Sequence, residues 1–173
     1  MSVWCGYVIT TIYLIRHSIP EKKKYIFQRF MSELQLNKKI GLSEKGKEKA
    51  KFKLFNPEYR NVDCIYSSEY LRAYETAKEL SSIINKEIII DSRFNERLHG
   101  NGLIESNYEE RQFNDEHFKL RNGESQIEVR KRMFNGVEDI IKKQLVVIIN
   151  EFNDYYNKAI NYYSSLQHNR SIR

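Results

Sequence analysis

The sequence predicts an α/β layered fold built on a mostly parallel sheet, and three observations carry that expectation. Short apolar, β-rich runs recur at residues 11–16, 62–66, 88–90 and 145–149. The segments between them place apolar residues at helical spacing, so strands and helices alternate along the chain. The first run (Ile12, Tyr13, Leu14, Ile15) shows no polar alternation before Arg16. A continuous apolar run of this kind suits a strand buried on both faces, as in a parallel sheet.

The elements follow in order. After the first strand, Ser43 suits the N-cap of a lysine-rich helix that runs to about Leu54, and Pro57 closes it off. Beyond the second strand, Leu71, Tyr74, Ala77, Leu80 and Ile84 recur at helical spacing. The third strand is short, and Gly100, Asn101 and Gly102 mark a loop after it. Ile127, Met133, Phe134, Val137, Ile140 and Ile141 stripe a further helix, approached through Gly123, Glu124 and Ser125. Glu124 and Ser125 read as the start of that helix. Past the fourth strand, Phe152, Tyr155, Tyr156, Ala159, Ile160, Tyr163 and Leu166 predict a final amphipathic helix. No internal repeat or long linker interrupts the 173 residues, which read as a single domain.

Composition narrows the function classes. A chain with 40% hydrophobic residues is not a disordered one, and no apolar run reaches the length of a bilayer span. Residues 3–15 lack a basic leader and a cleavage site, so they read as a buried strand and not as a signal peptide. Cys5 and Cys64 stand far apart without metal or redox spacing, which points to a reducing, cytoplasmic setting. The net charge of +6 favours anionic partners, with small phosphate esters and nucleic acid both eligible. The lysine runs at 22–24 and 45–53 read as solvated faces, and the aromatics do not interleave with them in an RNA-binding pattern. Nucleic acid is therefore the weaker reading.

In parallel sheets ligands bind beyond the carboxyl ends of the strands. Arg16 and His17 stand there after the first strand, followed by Ser18. An Arg-His dipeptide alone carries little weight; position and partners decide. The partners are Ile65-Tyr66-Ser67-Ser68 at the end of the second strand and Leu71-Arg72-Ala73-Tyr74-Glu75-Thr76-Ala77 just after it.

Taken together these segments resemble the histidine phosphatase (phosphoglycerate mutase-like) superfamily. Residues 13–20 resemble its nucleophile motif, and Gly41-Leu42-Ser43-Glu44-Lys45-Gly46 its usual approach to the next helix. Residues 67–77 resemble its second signature, and 93–100 and 123–132 its later blocks. The match keeps its order from about residue 11 to residue 149. It implies a three-layer α/β/α sandwich and a phosphomonoester hydrolase that works through a phosphohistidine on a small phosphorylated metabolite. The family's chemistry needs an imidazole nucleophile, planar cations for the phosphate and a carboxylic acid for the leaving oxygen. His17 matches the nucleophile, Arg16 and Arg72 the phosphate-binding arginines, and Glu96 the acid. As a bare residue Glu96 reads equally as a surface glutamate beside an arginine. Ser18 stands where relatives often carry glycine, and a small hydroxyl is tolerated there. No metal or other cofactor is implied, no insertion suggests an elaborate mutase cap, and a monomer or a homodimer would both serve.

The resemblance breaks after the fourth strand. Relatives place a second, phosphate-bonding histidine there, in a Ser-His-Gly setting. This chain reads Asn150-Glu151-Phe152, so Glu151 takes the matching place. An ionised carboxylate cannot donate to a phosphate and repels it, so a weakened enzyme or a phosphate-binding relative without turnover is the expectation. His99, His117 and His168 follow no strand in the matching way. Residues 150–173 form a shortened or divergent tail, consistent with a truncation, a change of reading frame or degeneration.

Overall fold

The computed structural model of the chain describes residues 11–22, 32–101, 107–141 and 146–150. Four strands, β1 (Ile12–Arg16), β2 (Cys64–Ser67), β3 (Ile88–Ile90) and β4 (Val146–Asn150), form one sheet in the order β1-β4-β2-β3. Every pairing is parallel. The helices are α1 (Glu33–Lys39), α2 (Glu44–Leu54), α3 (Leu71–Ile84), α4 (Tyr108–Asn114) and α5 (Gln126–Ile141). Among the described residues no helix is long and apolar enough to cross a membrane.

Alternation along the strands sends side chains to opposite faces, and each face has its own core. On one side Tyr13, Ile15, Ile65 and Ile88 pack with Leu54 of α2 and with Ala77, Leu80 and Ile84 of α3. On the other, Ile12, Leu14, Cys64 and Tyr66 pack with Phe94 and with Val129, Met133 and Ile140 of α5. Helices thus cover both faces of the sheet, giving the α/β/α sandwich that the sequence predicts. Edge-on aromatic pairs seal each core, Tyr13 on Tyr59 at 5.1 Å and Tyr66 on Phe94 at 6.3 Å between ring centres.

Several expectations shift in detail. The second strand starts at Cys64, because Val62, though buried, belongs to the turn before it. Tyr74 and Ile127 sit on exposed faces, at 39% and 36% accessibility, although their spacing put them in the stripes. In α3 the buried stripe instead holds Arg72, Ala73, Thr76, Ala77 and Leu80. In β1 only Ile15 is fully buried, since among the described strands β1 has a neighbour on one edge alone. The expected final helix, Gly102, Leu145 and Glu151 lie outside the described residues. Helices α1 and α4 were not foreseen.

The segment before α2 explains the glycine at position 46. The Ile19 carbonyl accepts hydrogen bonds from the Ser43 amide (3.0 Å) and hydroxyl (3.1 Å). Glu21 N–H donates to the Gly41 carbonyl at 2.9 Å, and Pro20 bridges Leu42. The Ser43 hydroxyl also caps α2 by accepting from Gly46 N–H at 3.1 Å. A β-carbon on Gly46 would lie 2.1 Å from the Ile19 carbonyl oxygen, a backbone atom that cannot step aside alone. A glycine-to-alanine change inside a helix ordinarily stabilises by roughly 1 kcal/mol. Here the sign reverses: Gly46→Ala should lower the unfolding free energy by about 2 kcal/mol through overpacking. Urea denaturation of the two proteins checks this, and an unchanged or raised stability would contradict the close approach.

Candidate active site

The parallel register delivers three strand ends to one edge. Arg16 of β1 pairs with Asn150 of β4, and Ser67 of β2 pairs with Ile149 one step earlier. His17 follows β1 directly, and the turn out of β2 leads into α3 with Arg72 in its first turn.

His17 is half-buried. Its Nδ1 lies 2.5 Å from the Ser18 carbonyl oxygen, which can only accept, so Nδ1 carries the proton and Nε2 the lone pair. Burial is the chief reason that the imidazole's pKa falls from 6.5 to about 4. The bond to Ser18 opposes the fall, and the charges of Arg72 and then Arg16 reinforce it. The ring is therefore neutral at physiological pH. The loop carrying it is fixed to α3 through Thr76, whose hydroxyl accepts from Ser18 N–H (3.1 Å) and donates to the Arg72 carbonyl (2.8 Å). One residue earlier, Glu75 accepts from Leu42 N–H at 2.5 Å, tying the segment before α2 to the same helix.

Arg72 is 5% exposed. A buried guanidinium needs acceptors, and it has them on two sides. Nη2 donates to Glu96 Oε2 at 3.2 Å, while Nη1 reaches the carbonyl and side-chain oxygens of Asn37 at 3.4 and 3.3 Å. Its carbon centre also lies 5.0 Å from the centroid of the Tyr70 ring. Asn37 belongs to α1, which begins in a capping box between Ser32 and Gln35.

Glu96 stands on a braced loop. Asn95 exchanges hydrogen bonds with Glu69, donating from Nδ2 (2.8 Å) and accepting from Glu69 N–H (2.9 Å). Arg132 of α5 donates to the carbonyls of Arg93 (2.6 Å) and Glu96 (3.4 Å). Glu124 grips Arg132 with both oxygens, at 2.7 and 2.9 Å, and also accepts from Leu98 N–H at 3.1 Å. Ser125 caps α5 in a reciprocal pair with Glu128. Helix starting is thus the work of Ser125, while Glu124 serves the loop that presents Glu96.

The structure brings His17, Arg72 and Glu96 into one constellation: Arg72 holds Glu96, and its charge acts on His17. Arg16 ends β1 on the exposed side, where with His17 it lines a cavity of about 370 Å³ between β1, α2 and α3. Glu151, one residue past β4, lies outside the described residues, as does His168. His99 packs 6.1 Å from the Tyr108 ring, and His117 is exposed on the segment after α4. Sequence reasoning missed Asn37, Thr76, Glu75, Glu124 and Arg132 as supporting residues. Thr76, Glu75, Glu124 and Arg132 sit inside the quoted motifs, so motif membership was a usable signal. Asn37 had none.

Comparison with known proteins agrees with this architecture. The histidine phosphatase superfamily (branch 1) is matched by residues 12–149. Phosphoserine phosphatase 1 of Hydrogenobacter thermophilus is 33% identical over 121 residues, covering 62% of this chain and 57% of that enzyme, a little over half its length. Among solved structures, a mycobacterial glucosyl-3-phosphoglycerate phosphatase superposes with a TM-score of 0.63 at 23% identity, covering 79% of this chain and 71% of its own. YhfR of Bacillus stearothermophilus gives 0.59 at 26% identity over 82% of this chain and 74% of its own. A sheet that carries His17 beyond its first strand and Arg72 beyond its second, with the family's sequence pattern across both, leaves one assignment: the chain belongs to the histidine phosphatase superfamily.

Proposed function

We propose that the chain hydrolyses a small phosphate monoester through a phosphohistidine on His17. The observation that carries this reading is the neutral imidazole held beside a buried arginine that itself holds a carboxyl group. In the first step Nε2 of His17 attacks phosphorus, the P–O bond to the alcohol breaks, and Glu96 gives its proton to the departing oxygen. In the second, water attacks the phosphohistidine and passes a proton to Glu96, releasing inorganic phosphate and a neutral imidazole. Arg72 and Arg16 hold the phosphoryl oxygens and stabilise the charge they share in the transition state. The curated relative is named for phosphoserine and the solved mycobacterial enzyme for glucosyl-3-phosphoglycerate, both small phosphorylated metabolites. The sparse, widely spaced cysteines fit work in the reducing cytoplasm.

A second reading, a phosphate-binding relative without turnover, is favoured by one observation: Glu151 stands where the family's second histidine is expected. Rapid-quench labelling with a ³²P-phosphate ester separates the two. Acid-labile label on the wild type, absent from His17→Ala, supports the phosphohistidine; phosphate binding without any label supports the binder.

The acid assigned to Glu96 makes a distinct prediction. An activated aryl phosphate leaves without help, whereas an alkyl ester needs a proton. Glu96→Gln should therefore slow an alkyl phosphate about a hundredfold and an aryl phosphate far less. Equal losses on both would remove Glu96 from the proton transfer.

The pKa of His17 gives a third. The folded value, about 4, lies below imidazole's ordinary value of 6.5, so the unfolded chain binds the extra proton first as pH falls. The stability that His17 contributes is full above pH 6.5 and drains away as pH falls toward 4. An NMR titration of the His17 ring protons in the free protein should show a midpoint near 4; a midpoint near 6.5 would mean a solvated ring.

A further inference from the structure

We propose that the outer face of α2 docks on an anionic membrane surface, with Phe52 and Phe55 entering the headgroup layer and the flanking lysines meeting the lipid charges. The inference is independent of the chemistry at His17 and stands whether the chain hydrolyses a phosphate ester or only binds one.

Gly46, Ala50 and Leu54 are buried and spaced four apart, so they mark the side of α2 that faces the rest of the molecule. On the opposite side, three residues apart, stand Phe52 and Phe55, which are 88% and 63% exposed. Phe55 caps the helix yet keeps helical backbone angles, so both rings belong to one crest. Single exposed apolar residues are ordinary, but two neighbouring aromatic rings left in water point to a surface with a partner. At about 3.6 residues per turn, Lys45, Lys49 and Lys53 run down one flank of the crest, and Lys47 and Lys51 down the other. Five lysines against two glutamates give the helix a net charge of +3. Of the two glutamates, Glu44 is engaged by Lys47 at 2.8 Å, and Glu48 stands on the crest itself. Among the described residues no carboxylate pairs with Lys45, Lys49, Lys51 or Lys53. Just past the helix Arg60 lies over the Phe55 ring, 4.7 Å from its centroid, and adds a further cation.

An apolar crest between two rows of cations is the pattern of helices that lie in a bilayer interface. The rings sink toward the acyl boundary while the ammonium groups stay among the headgroups. Charge decides between this occupant and others. A second copy of the chain would bring its own +3 helix against this one and be repelled. Duplex nucleic acid would engage the lysines and leave both rings in water. An acidic protein is the closer rival, but lysine is a point charge without the planar fork by which arginine selects one carboxylate. Rows of lysines on both flanks suit a diffuse anionic layer.

Flotation of the full chain with lipid vesicles tests this, using phosphatidylcholine alone and equal parts of phosphatidylcholine and phosphatidylserine. Wild type should bind the anionic vesicles roughly tenfold or more tighter than the neutral ones, and the difference should shrink as salt is raised. Phe52→Ser with Phe55→Ser should weaken the anionic binding about tenfold. Phe52→Ser alone, at the more exposed position, should weaken it about threefold and reads the same effect should the double change disturb the fold. Lys45→Gln with Lys49→Gln and Lys53→Gln should remove the preference for anionic vesicles, while arginine at the same three positions should keep it. Equal binding to both vesicles, or anionic binding that survives the loss of both rings, overturns the docking surface. A short DNA duplex or polyglutamate that binds as tightly as the anionic vesicles, and no less tightly without the rings, also overturns it and leaves a face that reads charge alone.

Discussion

Arg72 carries a permanent charge to a position only 5% exposed, and much of the molecule is arranged to make that tolerable. Removing a guanidinium from water costs several kcal/mol unless acceptors replace the solvent. Three separate parts of the chain answer that demand. Asn37 of α1 supplies two oxygens, the loop after β3 supplies Glu96, and Tyr70 supplies a ring face. Two of these partners are in turn held by something else: Glu96 through the Arg132–Glu124 pair, and Asn37 through a short helix with its own capping box. Because Arg72 also sets part of the field at His17, the same charge links the fold's energetics to the ionisation of the imidazole.

The backbone does the remaining positioning. Thr76 connects the His17 loop to the first turns of α3 with one hydroxyl used twice, as acceptor and as donor. The Ile19 carbonyl, contacted by Ser43 and crowded by Gly46, fixes the other end of that loop against α2. A second close crossing occurs at Gly100 and Gly123, where a β-carbon on either would fall within 2.6 Å of the other segment's backbone. Gly100 takes a φ of 86°, which an L side chain rarely adopts, so both its conformation and its neighbour call for glycine. That crossing sits just beyond Glu96 and holds the loop to the approach of α5.

The legible part of the sequence was the part in which one physical signal dominated. Apolar strands and long amphipathic helices announced the layers, and His17, Arg72 and Glu96 stood out because their motifs stood in order. Short helices were illegible for a definite reason. In α1 the apolar residues Leu34 and Leu36 are two apart, a strand-like spacing, and its work is done by the polar Asn37. In α4 the buried face carries Gln112, which serves Arg97 and not an apolar core. The misplacement of Tyr74 has the same origin: Arg72 and Thr76 occupy the inward stripe, where they bond Asn37, Glu96 and Ser18, and hydrophobic periodicity cannot see a polar residue turned inward. Glu124 and Arg132 lie inside a motif that marked them, but what they hold, the loop of Leu98 and Glu96, lies far away in the chain and shows only in the fold.

The strand order has a consequence for how the molecule comes into being. β1 and β2 are not neighbours; β4 lies between them and pairs with both, Ile12 with Val146 and Ile65 with Val147. During vectorial synthesis β2 and β3 can pair as soon as α3 and β3 have been made, but among the described strands β1 has to wait for the one that leaves the ribosome last of the four. Until then Arg16 and His17 hang from an apolar strand that pairs with none of the other described strands, and the sheet edge that will receive β4 is open. Closing it demands contacts of very long sequence separation, which slow folding and prolong the exposure of sticky strand edges. Among the described strands, the sheet edge that carries Arg16 and His17 is therefore joined to the rest only when β4 is in place.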